Sequence, residues 1–122
     1  MSYFRQHNTG LQRLTNALSY SYNGFLHAYR YEQAFRQESW LFLPLTAMAI
    51  WLGESAVECV ILISSLILVL IVELLNSAIE ATVDRISEEQ HLLSGIAKDI
   101  ASAAVFLSLA NVVISWSIIL LF

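Results

Sequence analysis

The sequence predicts an all-α membrane protein, three transmembrane helices preceded by an N-terminal amphipathic helix that lies on the membrane surface. Three observations lead there. Of the 122 residues, 57% are hydrophobic and only 13% charged, whereas a soluble domain carries about 25% charged residues. The apolar residues gather in long runs separated by short polar gaps. All six basic residues fall on one side of those runs. The net charge of −4 speaks against nucleic acid as a partner, which would call for a basic face. Cys59 is the single cysteine, so no intramolecular disulfide forms and an inert buried thiol is expected. The opening MSYFRQHNTGLQRL is polar and has no apolar h-region, so no cleavable signal peptide is expected. No repeat, low-complexity tract or linker divides the chain, and residues 1–122 read as a single domain.

The first element is a helix over about 9–35. Leu11, Leu14, Leu18, Tyr22, Phe25 and Tyr29 recur in steps of three and four, with Gln12, Arg13, Asn16 and Asn23 on the other faces. Its tyrosines suit the headgroup layer, which predicts a helix lying along the membrane. The alternative is a helix packed on the protein's own spans. The first span is placed at about 38–53 around WLFLPLTAMAIWLG, short for a hydrocarbon core that takes roughly 20 residues. Pro44 is expected within its first turns, where proline costs a helix least. VECVILISSLILVLIVELLNSAIEATV forms the second span, 57–83, and the third covers about 98–122.

Charge orients these spans. Arg5, Arg13, Arg30 and Arg36 precede the first span, and Arg85 and Lys98 lie between the second and third. The turn GESAVE (53–58) holds only acids. The positive-inside rule then predicts a multi-pass protein of the cytoplasmic membrane, with the N-terminus and the 84–99 loop in the cytoplasm and the C-terminus outside.

The second span ends in an unusual way. In VELLNSAIEATVDRIS (72–87), Glu73, Asn76, Glu80 and Asp84 fall within roughly an 80° arc of one helix face at about 100° per residue. Glu73 lies about 10 Å deeper than Glu80. A membrane helix rarely keeps a deep carboxylate without a use for it. Such a group suits a general base, and Glu80, nearer water, suits a share in Mg²⁺, which takes one or two carboxylates together with phosphate oxygens. Asn76 is placed to orient Glu73 or to meet a phosphate chain. The competing explanation is hydrogen-bonded glue between helices, and for Asp84-Arg85 it is an interfacial helix end. Glu32, Glu38, Lys98 and Asp99 also gather near this rim. Lys98 offers a point charge, and Arg13 and Arg36 a bidentate grip on phosphate. There is no GxxxxGKS loop, kinase glycine loop or HRD segment. His7, His27 and His91 have no metal-ligand spacing, and His27 reads as a plain residue of the amphipathic helix.

AFRQES (34–39), ILISSLILVLIVELLNSAIEATVDRIS (61–87) and HLLSGIAKDIASAAV (91–105) resemble the prokaryotic diacylglycerol kinase family, small integral-membrane lipid kinases. The likeness runs from about Thr9 onward, and ELLNSAIEATVDR with a downstream AKD is specific. AFRQE is closer to the Gram-negative diacylglycerol enzymes than to the undecaprenol kinases of Gram-positive bacteria.

The resemblance implies a homotrimer that uses ATP and Mg²⁺ to phosphorylate diacylglycerol at the cytoplasmic membrane surface. It implies Glu73 as the catalytic base and Glu32 and Glu80 as metal-holding acids. Nucleotide contacts fall on Arg13, Tyr20, Glu32, Asn76, Glu80, Glu89, Gln90, His91, Lys98 and Asp99. The lipid pocket falls on Arg13, Ala17, Glu38, Glu73, Ser102 and Trp116. Asn16 stands where a lysine is expected, and Ile96 replaces the basic residue of an SGRAKD pattern. Retained activity with weaker nucleotide binding is expected from these two departures. The other functions weighed are an undecaprenol kinase of the same fold, a small proton-coupled transport subunit using Glu73, and a structural membrane subunit.

Overall fold

The computed structural model describes residues 9–86 and 92–122. Among these it has four helices: α1 (Leu11–Tyr31), α2 (Gln33–Leu52), α3 (Ala56–Ile86) and α4 (Leu92–Leu121). Two of them, α3 and α4, are long and apolar enough to cross a membrane, and little of either is buried within the chain. Their exposed side chains, Phe106, Leu107 and Ile114 among them, are those of helices solvated by lipid. A soluble core helix would bury them. At about 1.5 Å per residue α3 is about 46 Å long, so its ends project beyond a hydrocarbon core of about 30 Å.

The surface helix is shorter than the sequence predicts. The chain turns extended at Glu32 (φ −109°, ψ 105°), and α2 resumes at Gln33. Arg36 explains the break: its Nη1 donates to the carbonyl oxygens of Tyr29 and Arg30, each at 3.3 Å. A cation on the last carbonyls satisfies acceptors that a helix end leaves open and complements the helix dipole. Arg36 therefore serves as a helix terminator, a use that competes with the expected phosphate grip. Trp40 Nε1 donates to the Tyr29 hydroxyl at 2.8 Å and ties the two helices across the break. Along α1 only Ala28 is buried; Leu11, Leu14, Leu18, Tyr22, Phe25 and Tyr29 are exposed. Within one chain, then, α1 buries little against the protein's own spans beyond Ala28.

Pro44 also departs from expectation. Because α2 begins at Gln33, Pro44 stands in the helix interior, where it removes one backbone donor. At the far end of α2, a Cβ on Gly53 would come 2.5 Å from Cys59 Sγ and 2.9 Å from the Ala49 carbonyl oxygen, so glycine is needed for that close approach. Ser55 then caps α3, its Oγ accepting from the Glu58 amide at 3.1 Å as in a Ser-x-x-Glu capping box. The Cys59 thiol is half-buried and lies 3.5 Å from the Ala49 carbonyl oxygen.

Packing centres on α3. Leu62, Ser65, Leu66, Val69 and Glu73 form its buried face. Taken as Leu62, Leu66, Val69, Glu73, Asn76 and Glu80, the spacing is 4-3-4-3-4, the seam of a heptad. Against it α4 buries Ala101 and Ser108, small residues that let lipid-bathed helices come close. Ser65 Oγ donates to the Leu62 carbonyl oxygen at 2.7 Å and accepts from Trp116 Nε1 at 3.1 Å, joining α3 to α4. A double-mutant cycle of Ser65→Ala and Trp116→Phe, read by unfolding in mixed micelles, should return a coupling of about 0.6 kcal/mol, the average for interhelical bonds in a membrane.

Candidate active site

The site is the charged end of the α3 seam. The apolar knobs Leu62, Leu66 and Val69 give way to Glu73, Asn76 and Glu80 without a change of face, so the periodicity that packs Leu62 and Val69 also turns Glu73 inward. Glu73 is only 6% exposed. One turn on, Asn76 Nδ2 donates to Glu80 Oε1 at 3.2 Å, while Asn76 Oδ1 is buried and accepts nothing. From α2, the Glu38 carboxyl comes within hydrogen-bonding reach of Glu73. Glu32, at the break between α1 and α2, and Glu80 are both near enough for their charges to bear on Glu73. Four acids from two helices and one junction therefore converge.

Chemically this is a set of hard oxygen donors. No group of three or more His, Cys, Asp or Glu side chains able to hold a metal occurs among the described residues. Mg²⁺ needs fewer, since it commonly takes one or two carboxylates and completes its shell with phosphate oxygens and water. Glu32 and Glu80 are two carboxylates whose charges both bear on Glu73. The unpartnered Asn76 Oδ1 is a buried acceptor with capacity for an incoming donor or cation, and such a group normally has a partner.

Two spaces adjoin the acids. A groove of about 420 Å³ runs between α1 and α3, with Ser21, Phe25 and Glu32 on one wall and Leu74, Ser77 and Ala81 on the other. His27 also lines it and stacks at a tilt on Tyr31, ring centroids 4.7 Å apart. A smaller apolar pocket of about 110 Å³ has Glu38 on its wall together with Leu41, Phe42, Val69 and Leu109.

Several residues singled out in the sequence lie elsewhere. Lys98 pairs with Asp84 at 2.6 Å, closing α3 on α4 where both are well exposed. Asp84, expected as a bland helix end, thereby holds one of the cations expected to meet phosphate. The signal was available in the opposite charges at the two ends of the 84–99 loop. Asp99 and Ser102 are exposed on α4, and Arg13, Ala17 and Tyr20 are exposed on α1. Trp116 commits its N–H to Ser65, about one heptad before Glu73 on α3, which leaves only its ring for lipid. Glu89, Gln90 and His91 lie outside the described residues. The proximity of Glu38 to Glu73 carried no periodic signal, because the two sit on different helices.

Fold and site together define a small helical membrane protein with an acid-lined site at the end of its packing seam. The chain belongs to the prokaryotic diacylglycerol kinase family, whose family model matches residues 19–120. It is 51% identical over 112 residues to the diacylglycerol kinase of Escherichia coli strain K12, covering 92% of each chain. It is 52% identical over 113 residues to that of Pseudomonas aeruginosa, covering 93% of this chain and 92% of the relative. The Haemophilus influenzae diacylglycerol kinase is 48% identical over 114 residues, 93% of this chain and 97% of the relative.

The break that delivers Glu32 depends on Arg36. Replacing Arg36 with Gln should destabilise the last turn of α1 by about 1 kcal/mol, seen as faster amide exchange at Tyr31 and Glu32 with α3 unaffected.

Proposed function

We propose that this protein transfers the γ-phosphate of ATP to the primary hydroxyl of diacylglycerol, giving phosphatidate at the cytoplasmic face of the inner membrane. The observation that carries this is the buried Glu73, set in one seam with Asn76 and Glu80 in a chain of this family. A lipid hydroxyl stays near the interface, so a base just below the rim reaches it without drawing the lipid into water. Glu73 takes the hydroxyl proton. The oxygen's electron pair then forms the bond to the γ-phosphorus, and the bond to the β–γ bridging oxygen breaks with its pair leaving on ADP.

Glu32 and Glu80 hold Mg²⁺, which when bound neutralises charge on the ATP phosphates. Asn76 holds Glu80 through its amide N–H and leaves its carbonyl oxygen toward the ligands. Lys98, carried on the first turns of α4, supplies a point charge for phosphate, and Asp84 holds it at the mouth of the site. Arg13, Tyr20 and Asp99, with Glu89, Gln90 and His91, complete the nucleotide contacts, and Ala17, Ser102 and the Trp116 ring face the lipid.

On this reading α2 is the first of three spans, its 20 residues reaching about 30 Å, one hydrocarbon thickness. The basic residues keep the N-terminus and the α3–α4 loop in the cytoplasm, and the C-terminus lies outside. The protein works as a homotrimer. Support comes from the family resemblance and from how little of α3 and α4 one chain buries.

Purified protein in mixed micelles with ATP, Mg²⁺ and diacylglycerol should form phosphatidate. Glu73→Gln should lower the rate roughly 10²- to 10⁴-fold, the usual share of a general base, while remaining folded. Chelating Mg²⁺ should stop the wild type. Faster transfer to undecaprenol than to diacylglycerol would reassign the substrate, and proton-linked flux in liposomes without ATP would reject the kinase.

A further inference from the structure

The acids of the site are not equivalent. Glu32 and Glu80 stand at its edge, where Asn76 donates to one of them. Glu38 and Glu73 face each other in the interior, from α2 and α3, with their carboxyl groups within hydrogen-bonding reach. Neither is matched by a basic side chain, because the ion pair formed among the described residues is that of Lys98 with Asp84 at the rim. Glu38 Oε2 is buried and receives no donor. Two carboxylates cannot hydrogen-bond unless one of them carries a proton, and two bare anions in an apolar site repel strongly. The contact is therefore a carboxyl donating to a carboxylate.

Which one donates follows from the work each does. As a base Glu73 must present an anionic oxygen, so the hydroxyl of the pair sits on Glu38. The apolar wall on its other side, formed by Leu41, Phe42 and Val69, suits a neutral carboxyl. The groups facing Glu73 are Glu38 from α2, Glu80 from its own helix and Glu32 from the junction. Glu38 is the one within hydrogen-bonding reach.

We propose that Glu38 is a positioning residue for the reaction, a neutral carboxyl whose O–H donates to Glu73 and aims its free oxygen at the lipid hydroxyl. It goes beyond a place along the lipid pocket, and it rests on the reading of Glu73 as the base. Glu38 contributes no atom to products and keeps its own proton through the transfer. The hydroxyl proton goes to Glu73 and from there to solvent.

Two substitutions separate a donor from a wall. Glu38→Gln keeps an N–H donor in the same place, and Glu38→Met keeps the volume without a donor. With folded protein in mixed micelles, Glu38→Met should lower kcat roughly 10- to 100-fold, the range expected when a reacting group is mis-aimed. KM for ATP and for diacylglycerol should change little. Glu38→Gln should recover most of the lost turnover. Equal kcat in both variants with a raised KM for diacylglycerol would overturn the proposal and leave Glu38 a wall of the lipid pocket. Loss of kcat in Glu38→Gln as deep as in Glu38→Met would overturn it as well, by requiring a carboxylate. Infrared spectroscopy gives a readout without turnover: the protonated-carboxyl band of the wild type at neutral pH should vanish in Glu38→Gln, and its absence from the wild type would refute the pairing. If folded wild type forms no phosphatidate but shows that band, the kinase reading fails and the pairing stands.

Discussion

The structure depends on one seam. Along α3 the same 4-3-4-3 spacing that lets Leu62, Leu66 and Val69 pack continues without a break into Glu73, Asn76 and Glu80. In lipid, helix association gains little from apolar side chains, because the tails are as apolar as leucine. It relies on close fit and on polar contacts. Here the seam supplies both, small residues Ala101 and Ser108 facing it from α4 and the Ser65–Trp116 bond in its middle. Its polar end becomes a site because packing, not solvent, determines where those side chains point.

A buried carboxylate imposes a second constraint. Glu73 has no lysine or arginine beside it among the described residues, so its surroundings must come from hydrogen bonding, from the opposite carboxyl of Glu38 and from ligands. This accounts for the break at Glu32. A single continuous helix from Leu11 to Leu52 would carry a carboxylate at position 32 along its own axis. One extended residue, enforced by Arg36 on the α1 carbonyls, places that acid at a corner near Glu73. Arg36, expected with Arg13 to grip phosphate, is thereby committed to holding the corner. Lys98 is held in a different way, by an exposed contact with Asp84 that solvent screens and weakens.

Much of this was legible in the residues alone. The lack of charge specified a lipid setting, and the 3.6-residue period of Leu11 through Tyr29 predicted an amphipathic helix whose apolar stripe does stay exposed. The face shared by Glu73, Asn76 and Glu80 is an arithmetic consequence of helix geometry, and the Asn76–Glu80 hydrogen bond realises it. Helix ends were less legible. Pro44 was expected within the first turns of its helix and stands mid-helix, because α2 starts where α1 is capped and not where the apolar run begins. Hydropathy reports the membrane, and helices run past it into water on their caps.

What the sequence determined by itself is therefore what one helix can encode: which stretches are helical, which face of α3 is acidic, and, through the specific ELLNSAIEATVDR block, the family. Only the tertiary structure decided what lies between helices. It set Glu38 against Glu73, Trp116 on Ser65, Asp84 on Lys98 and Arg36 on the carbonyls of Tyr29 and Arg30. Periodicity relates residues three and four apart on one axis, whereas these partners are set by how two axes meet, and that depends on the volumes packed between them.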